Sequence, residues 1–236
     1  PDEIMYNSLL DGCAQHAHID EGLRVLQQMQ EDGVKPSNYT LSILVKLMGR
    51  ARRLDAAFDL MKQVARKFSI SPNVHVYTNL IQACIGNRQL QRALETLELM
   101  IKEQVQPESR TYAILLRASL SHGLYDQAEG LLRAALGLKE AAPAFLRTPV
   151  ASCPSLDEAV VNEMLIQLSK TREGPTIDLI SEIKACRPRV RIDAATVRRV
   201  MAPGLRQATK GAWPLHLPAN RQQSRANDRD RPLNSR

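Results

Sequence analysis

Three short polar side chains recur along the chain at almost constant spacing. Asn7, Ser42 and Thr78 lie 35 and 36 residues apart. An amide or a hydroxyl group can both donate and accept hydrogen bonds, so each of these side chains can pair with a polar edge of a ligand. The alternative is that all three are polar residues on a solvated helix face. The spacing alone is compatible with both interpretations.

Motifs for catalysis and for cofactors are absent from the sequence. It contains no Gly-rich phosphate loop, no His-Glu-x-x-His sequence and no Cys-x-x-Cys pair. Cys13, His16 and His18 are close together, but no second pair of metal ligands follows them. A metal-dependent nuclease needs clustered acids, whereas the aspartates after residue 156 are dispersed. We therefore expect no enzyme activity, no metal site and no cofactor.

The composition is that of a globular helical protein. The 236 residues are 44% hydrophobic, 24% charged and only 4% aromatic, which favours packed leucine and alanine helices. No apolar run reaches the roughly 18–20 residues that a membrane span needs, so no membrane contact is expected. Four scattered cysteines indicate a reducing compartment. Since residue 1 is not methionine, we expect any targeting segment to lie outside this chain.

The net charge of +7 is unevenly distributed. Residues 198–236 hold nine Arg or Lys and two Asp, whereas residues 1–197 hold equal numbers of basic and acidic residues. The excess positive charge therefore belongs to the C-terminal segment. It does not by itself indicate that the rest of the chain binds nucleic acid.

Internal repeats organise the first half of the chain. Pro36, Pro72 and Pro107 lie 36 and 35 residues apart, each near the end of a similar stretch. Alignment on these stretches divides the array, residues 1–137, into units 3–37, 38–73, 74–108 and a shortened 109–137. The second unit has one extra residue near Phe68. Such a fixed period is typical of solenoid architectures.

Each unit is predicted to form two helices. In the first unit, Leu9 and Cys13 follow helical spacing, as do Leu23 and Leu26 further on. Gly33 and the proline that follows can end the second helix. Neither helix can bury its apolar stripe alone, so neighbouring pairs must stack. We predict an all-α protein, an α-solenoid of stacked helix-turn-helix repeats; the alternative is a non-repeating helical bundle.

The repeated unit resembles a known family. The stretches YNSLLDG and GVKPS within a 35-residue unit are similar to the pentatricopeptide repeat (PPR), and the similarity covers residues 3–137. Tetratricopeptide repeats have 34 residues and prefer a Trp-Leu-Gly pattern that is absent here. The resemblance implies a right-handed superhelix that binds single-stranded RNA sequence-specifically, in a mitochondrion or chloroplast. It implies a role in RNA processing, stability or translation, alone or with other protein factors.

The resemblance also assigns residues. In this family the fifth and last residues of a unit contact the base edge, and the second residues of successive units sandwich the base. The implied base-reading residues are Asn7, Ser37, Ser42, Asn73, Thr78 and Glu108. The implied base-sandwiching residues are Ile4, Tyr39, His75 and Arg110. Because Ala113 takes the fifth place of the fourth unit, that unit is expected to read nothing.

Cations are concentrated in the second unit. Residues 38–73 carry seven basic side chains against two acids, whereas residues 3–37 carry two against six. Phosphate neutralisation needs clustered cations. The expected phosphate-binding residues are Lys46, Arg50, Arg52 and Arg53. The alternative for the arginines is a solvated helix end beside the negative pole of the helix dipole.

The pattern weakens after residue 137. We expect residues 138–155 to form a loop insertion, residues 156–201 a degenerate helical repeat or cap, and residues 202–236 a disordered basic tail. Pro1 and Asp2 are expected to be the end of an earlier unit. Two functions fit the whole: an RNA-binding adaptor of an organelle, or a tetratricopeptide-like scaffold that binds a protein partner on its concave face.

Overall fold

The computed structural model describes residues 1–138, 156–186 and 190–210, and all regular secondary structure within these ranges is helical. The helices are α1 (Glu3–His16), α2 (Ile19–Glu31), α3 (Asn38–Arg50), α4 (Leu54–Phe68), α5 (Val74–Gly86), α6 (Leu90–Lys102), α7 (Ser109–Ser121), α8 (Tyr125–Leu136), α9 (Glu158–Ser169), α10 (Glu173–Cys186) and α11 (Ala194–Lys210). The first eight form four helix pairs. The expected insertion, from residue 139 onward, and the tail from residue 211 lie outside the described residues.

The last residue of a unit caps the first helix of the next unit. The Ser37 hydroxyl accepts a hydrogen bond from the Tyr39 backbone N–H at 3.0 Å. The Asn73 carboxamide oxygen accepts from the N–H groups of His75 and Val76 at 3.1 and 3.2 Å. These bonds satisfy backbone donors that the helix itself leaves unpaired, which is why short polar residues start α3 and α5. Glu108 precedes α7 without a side-chain cap bond.

Each second helix ends before the proline of its unit, as the sequence predicts. The chain turns at a left-handed residue, Gly33 (φ 71°), Ser69 (φ 53°) or Gln104 (φ 61°). The backbone N–H of the next residue then reaches back into the helix, as from Val34 to the carbonyl of Met29 at 2.9 Å. Only the first of these positions is glycine, so the turn geometry tolerates side chains that would ordinarily cost some strain there.

Stacking of neighbouring pairs produces the solenoid. α1 packs on α3, α3 on α5, α5 on α7 and α7 on α9, while each second helix packs against the first helix of its own unit. Small residues lie at the crossing points of the hairpins: Gly22, Ala57, Ala93 and Ala128 are all buried. The α-solenoid prediction is confirmed. None of the described helices is long and apolar enough to span a bilayer.

Tyrosine–acid hydrogen bonds tie the two helices together in two of the units. The Tyr6 hydroxyl donates to the Asp32 carboxylate, and the Tyr77 hydroxyl donates to Glu103 at 2.7 Å. The bond to Asp32, with burial, raises the pKa of Tyr6 to about 12. Burial and the bond to Glu103 raise the pKa of Tyr77 as well. Both hydroxyls therefore stay protonated donors at physiological pH.

A fifth helix pair continues the stack after the insertion. The side chain of Asp157 caps α9 by accepting from Ala159 N–H at 2.9 Å. An ion pair also joins α8 to α10, because Arg133 contacts Glu182. α11 continues through Pro203 to Lys210, past the expected start of the tail at residue 202. Pro203 and Gly204 are both poor helix formers, whereas Leu205, Arg206, Gln207 and Ala208 have high helix propensity.

Candidate nucleic-acid interface

The first helices of the units line one continuous groove. It has a volume of about 670 Å³ and lies across α1, α3, α5 and the start of α7. Its lining residues are Asp11, Tyr39, Ser42, Ile43, Lys46, Gly49, Arg50, Arg52, Asn79, Gln82, Ala83, Gly86 and Arg110. Six of the sequence-predicted site residues therefore line this groove, and all of them except Arg110 belong to the second unit.

Among the polar fifth residues of the units, the Ser42 hydroxyl is the one that has no hydrogen-bond partner within the described part of the chain. Ser42 is only 8% exposed, and its Oγ makes no hydrogen bond there. Its backbone carbonyl accepts from the Asn79 carboxamide at 3.3 Å. A buried hydroxyl without a partner costs about 1–3 kcal/mol, so a ligand atom that paired with it would recover that cost.

The other two fifth residues are already hydrogen-bonded inside the protein. The Asn7 carboxamide donates to Glu3 at 3.1 Å and accepts from the Thr40 hydroxyl at 2.8 Å. The Thr78 hydroxyl lies 2.8 Å from that of Thr111. Each bond to a threonine crosses from one unit to the next. Base reading by Asn7 or Thr78 would therefore have to share or replace an existing bond, which Ser42 would not.

The extra residue of the second unit leaves Asn73 in the same place as Ser37. α4 has 15 residues where α2 and α6 have 13, and the connection that follows α4 is one residue shorter than the other two. Asn73 still directly precedes the next first helix and caps it. Its backbone N–H also donates to the Asn38 carboxamide at 3.1 Å. Asn73 thus keeps the last-residue position that the base-reading hypothesis requires.

The second residues of the units are all exposed, but only Tyr39 and Arg110 line the groove. Ile4 is 76% exposed and Tyr39 is 64% exposed, and His75 and Arg110 are also exposed. Single exposed apolar side chains are common on protein surfaces, so exposure alone does not mark these residues as a binding surface. A flat ring could stack on Tyr39 without any rearrangement of the fold.

Of the four expected phosphate-binding residues, Lys46 and Arg50 already have a partner within the protein. Lys46 forms an ion pair with Asp11, with Nζ and Oδ1 2.7 Å apart. One guanidinium nitrogen of Arg50 donates to the Ala14 carbonyl at 3.0 Å. Arg52 is exposed and lines the groove, and Arg53 is exposed beside it.

Sequence reasoning missed three polar residues of the groove. Asp11 and Gln82 take the same place in their units as Lys46, 35 and 36 residues away, and Asn79 follows Thr78 directly. Comparison of equivalent positions between the aligned units would have found Asp11 and Gln82. Within the described ranges no cluster of three or more His, Cys, Asp or Glu side chains could hold a metal ion. Cys84 is buried, whereas Cys13 is only partly buried.

Comparison with known proteins decides the family. A family model described as the pentacotripeptide-repeat region of PRORP matches residues 3–135. The chain belongs to the pentatricopeptide repeat family. The expected resemblance is thereby confirmed over residues 3–135.

Curated pentatricopeptide repeat proteins are much longer than this chain. A mitochondrial pentatricopeptide repeat-containing protein of Arabidopsis thaliana is 27% identical over 54% of this chain and 18% of its own length. Another pentatricopeptide repeat-containing protein of the same organism is 29% identical over 77% of this chain and 22% of its own length. The mitochondrial 15S rRNA processing factor CCM1 of Komagataella phaffii is 24% identical over 56% and 18%. The chain thus spans about a fifth of these relatives.

Two solved structures share the pentatricopeptide repeat fold. The PPR domain of Arabidopsis thaliana protein-only RNase P 1, in complex with tRNA, has a TM-score of 0.54 at 19% identity and covers 88% of this chain and 98% of its own. The maize protein PPR10 has a TM-score of 0.55 at 19% identity, covering 80% of this chain and 25% of its own. At this identity the similarity establishes the fold alone.

Proposed function

We propose that this chain binds single-stranded RNA along the groove formed by its first helices, as part of an organellar factor for RNA processing, stability or translation. The observation that carries the proposal is the unpartnered, buried Ser42 hydroxyl in a groove that also contains the exposed Tyr39 ring and the Arg52 guanidinium. Hydrogen-bonding groups, a stacking surface and cations are the three components with which proteins hold unpaired bases and their phosphates.

The names of relatives support the setting. One relative is named a mitochondrial rRNA processing factor, and others carry mitochondrial or chloroplastic in their names. The matched part of the RNase P neighbour is its PPR domain. We infer that this chain acts by binding RNA in a mitochondrion or chloroplast, and that it does so without catalysis of its own.

The mechanism assigns one base to each complete unit. By the family pattern, Asn7 with Ser37 would favour a pyrimidine, Ser42 with Asn73 adenine, and Thr78 with Glu108 a purine, read 5′ to 3′. We propose that the second unit discriminates between bases most strongly. Its Ser42 hydroxyl has no hydrogen-bond partner within the described residues, and Tyr39 and His75, the second residues of this unit and of the next, are both exposed. The bound base would stack between those rings.

Salt titration with single-stranded and duplex RNA tests the function. Fluorescence anisotropy of a labelled strand that contains pyrimidine–adenine–purine should give a dissociation constant on the order of micromolar, because few bases are stacked at roughly 1–3 kcal/mol each. Affinity should fall as salt rises, and the same strand annealed to its complement should bind far less. Equal binding of strand and duplex would overturn the proposal. Absence of RNA binding together with capture of a peptide would favour the scaffold function instead.

Asn73→Asp should shift the preferred base of the second unit from adenine toward guanine. An aspartate offers only acceptors where asparagine also offers an N–H₂ donor. Base differences of this kind are worth about 1–3 kcal/mol by analogy with readout on DNA. The measurement is a titration of both proteins with RNAs that differ only at that base.

Asn73→Asp is expected to change the contact with the base without changing the stability of the protein. The cap bonds use the side-chain oxygen, which aspartate retains, so both proteins should melt at the same temperature. Unchanged base preference in a variant of unchanged stability would show that Asn73 does not read the base.

A further inference from the structure

Lys46 is held by a carboxylate in the groove. The Lys46 ammonium and the Asp11 carboxylate are 2.7 Å apart, and each side chain is about one-third exposed (37% and 33%). Asp11 also accepts from the Gln15 carboxamide at 2.9 Å. The bonds from Lys46 and Gln15 lower the pKa of Asp11, so the carboxylate stays charged at physiological pH. The pair connects α1 to α3, and both residues line the groove.

Asp11 also marks a change in the charge of the surface. It lines both the main groove and a second pocket, of about 470 Å³, on the first unit. The second pocket is lined by Glu3, Ile4, Asn7, Ser8, Asp11 and Tyr39. Two of these are acids and none is a cation. The main groove beyond Asp11 contains Arg50, Arg52 and Arg110.

The acid is peculiar to the first unit. The equivalent residues of the second and third units are Lys46 and Gln82, and that of the fourth is Arg117. A polyanion that lies along these positions meets neutral or positive side chains everywhere except at Asp11. The carboxylate both repels a phosphate directly and occupies the ammonium group that would otherwise receive it.

We propose that Asp11 is a specificity-determining residue that restricts phosphate binding to the part of the groove lined by Arg50, Arg52 and Arg110. It does so by holding Lys46 in an ion pair and by placing a negative charge at the entrance to the first-unit pocket. This inference rests on the proposed function, because it assumes that the groove receives a nucleic-acid backbone. Removal of a negative charge should therefore strengthen binding through one particular lysine.

Asp11→Asn in the full chain tests the proposal. Release of Lys46 adds one phosphate contact, so the slope of log K against log[salt] for single-stranded RNA should steepen by about 0.7, and affinity at about 0.1 M salt should rise about fivefold. Asp59→Asn is the matched control, because Asp59 is exposed on α4 outside the groove lining. It makes the same change of net charge and should leave the slope unchanged.

A second variant identifies the lysine as the cause. Addition of Lys46→Gln to Asp11→Asn should abolish the gain, which is the coupling that a double-mutant cycle measures. Far-UV circular dichroism verifies that each variant keeps its helices. If wild type binds RNA but Asp11→Asn gains nothing, or no more than Asp59→Asn, the inference is wrong while the proposed function stands. If wild type binds no RNA at any salt concentration, both are wrong.

Discussion

Replacement of Arg52 and Arg110 by glutamate is expected to weaken binding of single-stranded RNA by about 25-fold or more at about 0.1 M salt. Each phosphate contact on a single strand contributes about 0.7 to the salt slope, or roughly fivefold at this salt concentration, and charge reversal adds repulsion. Both side chains are exposed in the groove. The salt slope should become shallower by about 1.4. Anisotropy titrations over a range of salt concentrations measure both quantities.

The matched control reverses two charges on a second helix. Lys62 and Arg66 are exposed on α4, outside the groove lining, and Lys62→Glu with Arg66→Glu makes the same change of net charge. We expect the control to lose much less affinity and to keep the wild-type salt slope. Equal losses in the two double variants would mean that RNA responds to the overall charge of the protein and not to the groove.

Gly49→Ala is expected to destabilise the array by about 1–3 kcal/mol. A methyl group on Gly49 would lie 2.6 Å from Ala83 Cβ and 3.3 Å from Ala83 Cα, where α3 crosses α5. The second of these atoms belongs to the backbone, so relief requires the two helices to move apart. Helix propensity alone would make alanine more stable than glycine by about 0.5–1 kcal/mol, so the predicted sign is opposite to that of propensity.

Gly12→Ala is the control for that prediction. Gly12 lies within α1, and a methyl group there would meet nothing within 4 Å. This variant should therefore gain stability by up to about 1 kcal/mol. Chemical denaturation followed by circular dichroism measures both changes. A stabilised Gly49→Ala variant would contradict the close packing of α3 on α5.

The sequence predicted the helix boundaries well because a similar proline-containing stretch ends each of the first three units. The helix breaks fall before Pro36, Pro72 and Pro107, and the extra residue near Phe68 is accommodated by a longer α4 and a shorter connection after it. Because several units show the same helix boundary at the same place, an ambiguous residue in one unit does not change the predicted boundary. Where the repeat weakens this advantage is lost, and α11 continues beyond the expected boundary.

The candidate site was less predictable, because equivalent positions do not have equivalent partners. Asn7, Ser42 and Thr78 share one place in the sequence, yet Asn7 and Thr78 bond to threonines of the next unit and Ser42 does not. The bonded threonines, Thr40 and Thr111, are the third residues of their units, and the unit after Ser42 has Val76 at this place, which cannot form a side-chain hydrogen bond. The capping role of the last residues was missed for a different reason. The resemblance assigns Ser37 and Asn73 to base contact, but both also lie directly before a helix, where a short polar side chain caps the helix.

Photo-crosslinking tests most directly whether a single strand lies across the first helices. RNA with a photoreactive base at the central adenine position is bound to the full chain and irradiated, and the crosslinked peptides are identified by mass spectrometry. We predict crosslinks to Tyr39 and His75, and their loss when unlabelled single-stranded RNA competes. Crosslinks confined to the second helices α2, α4 and α6 would contradict the account.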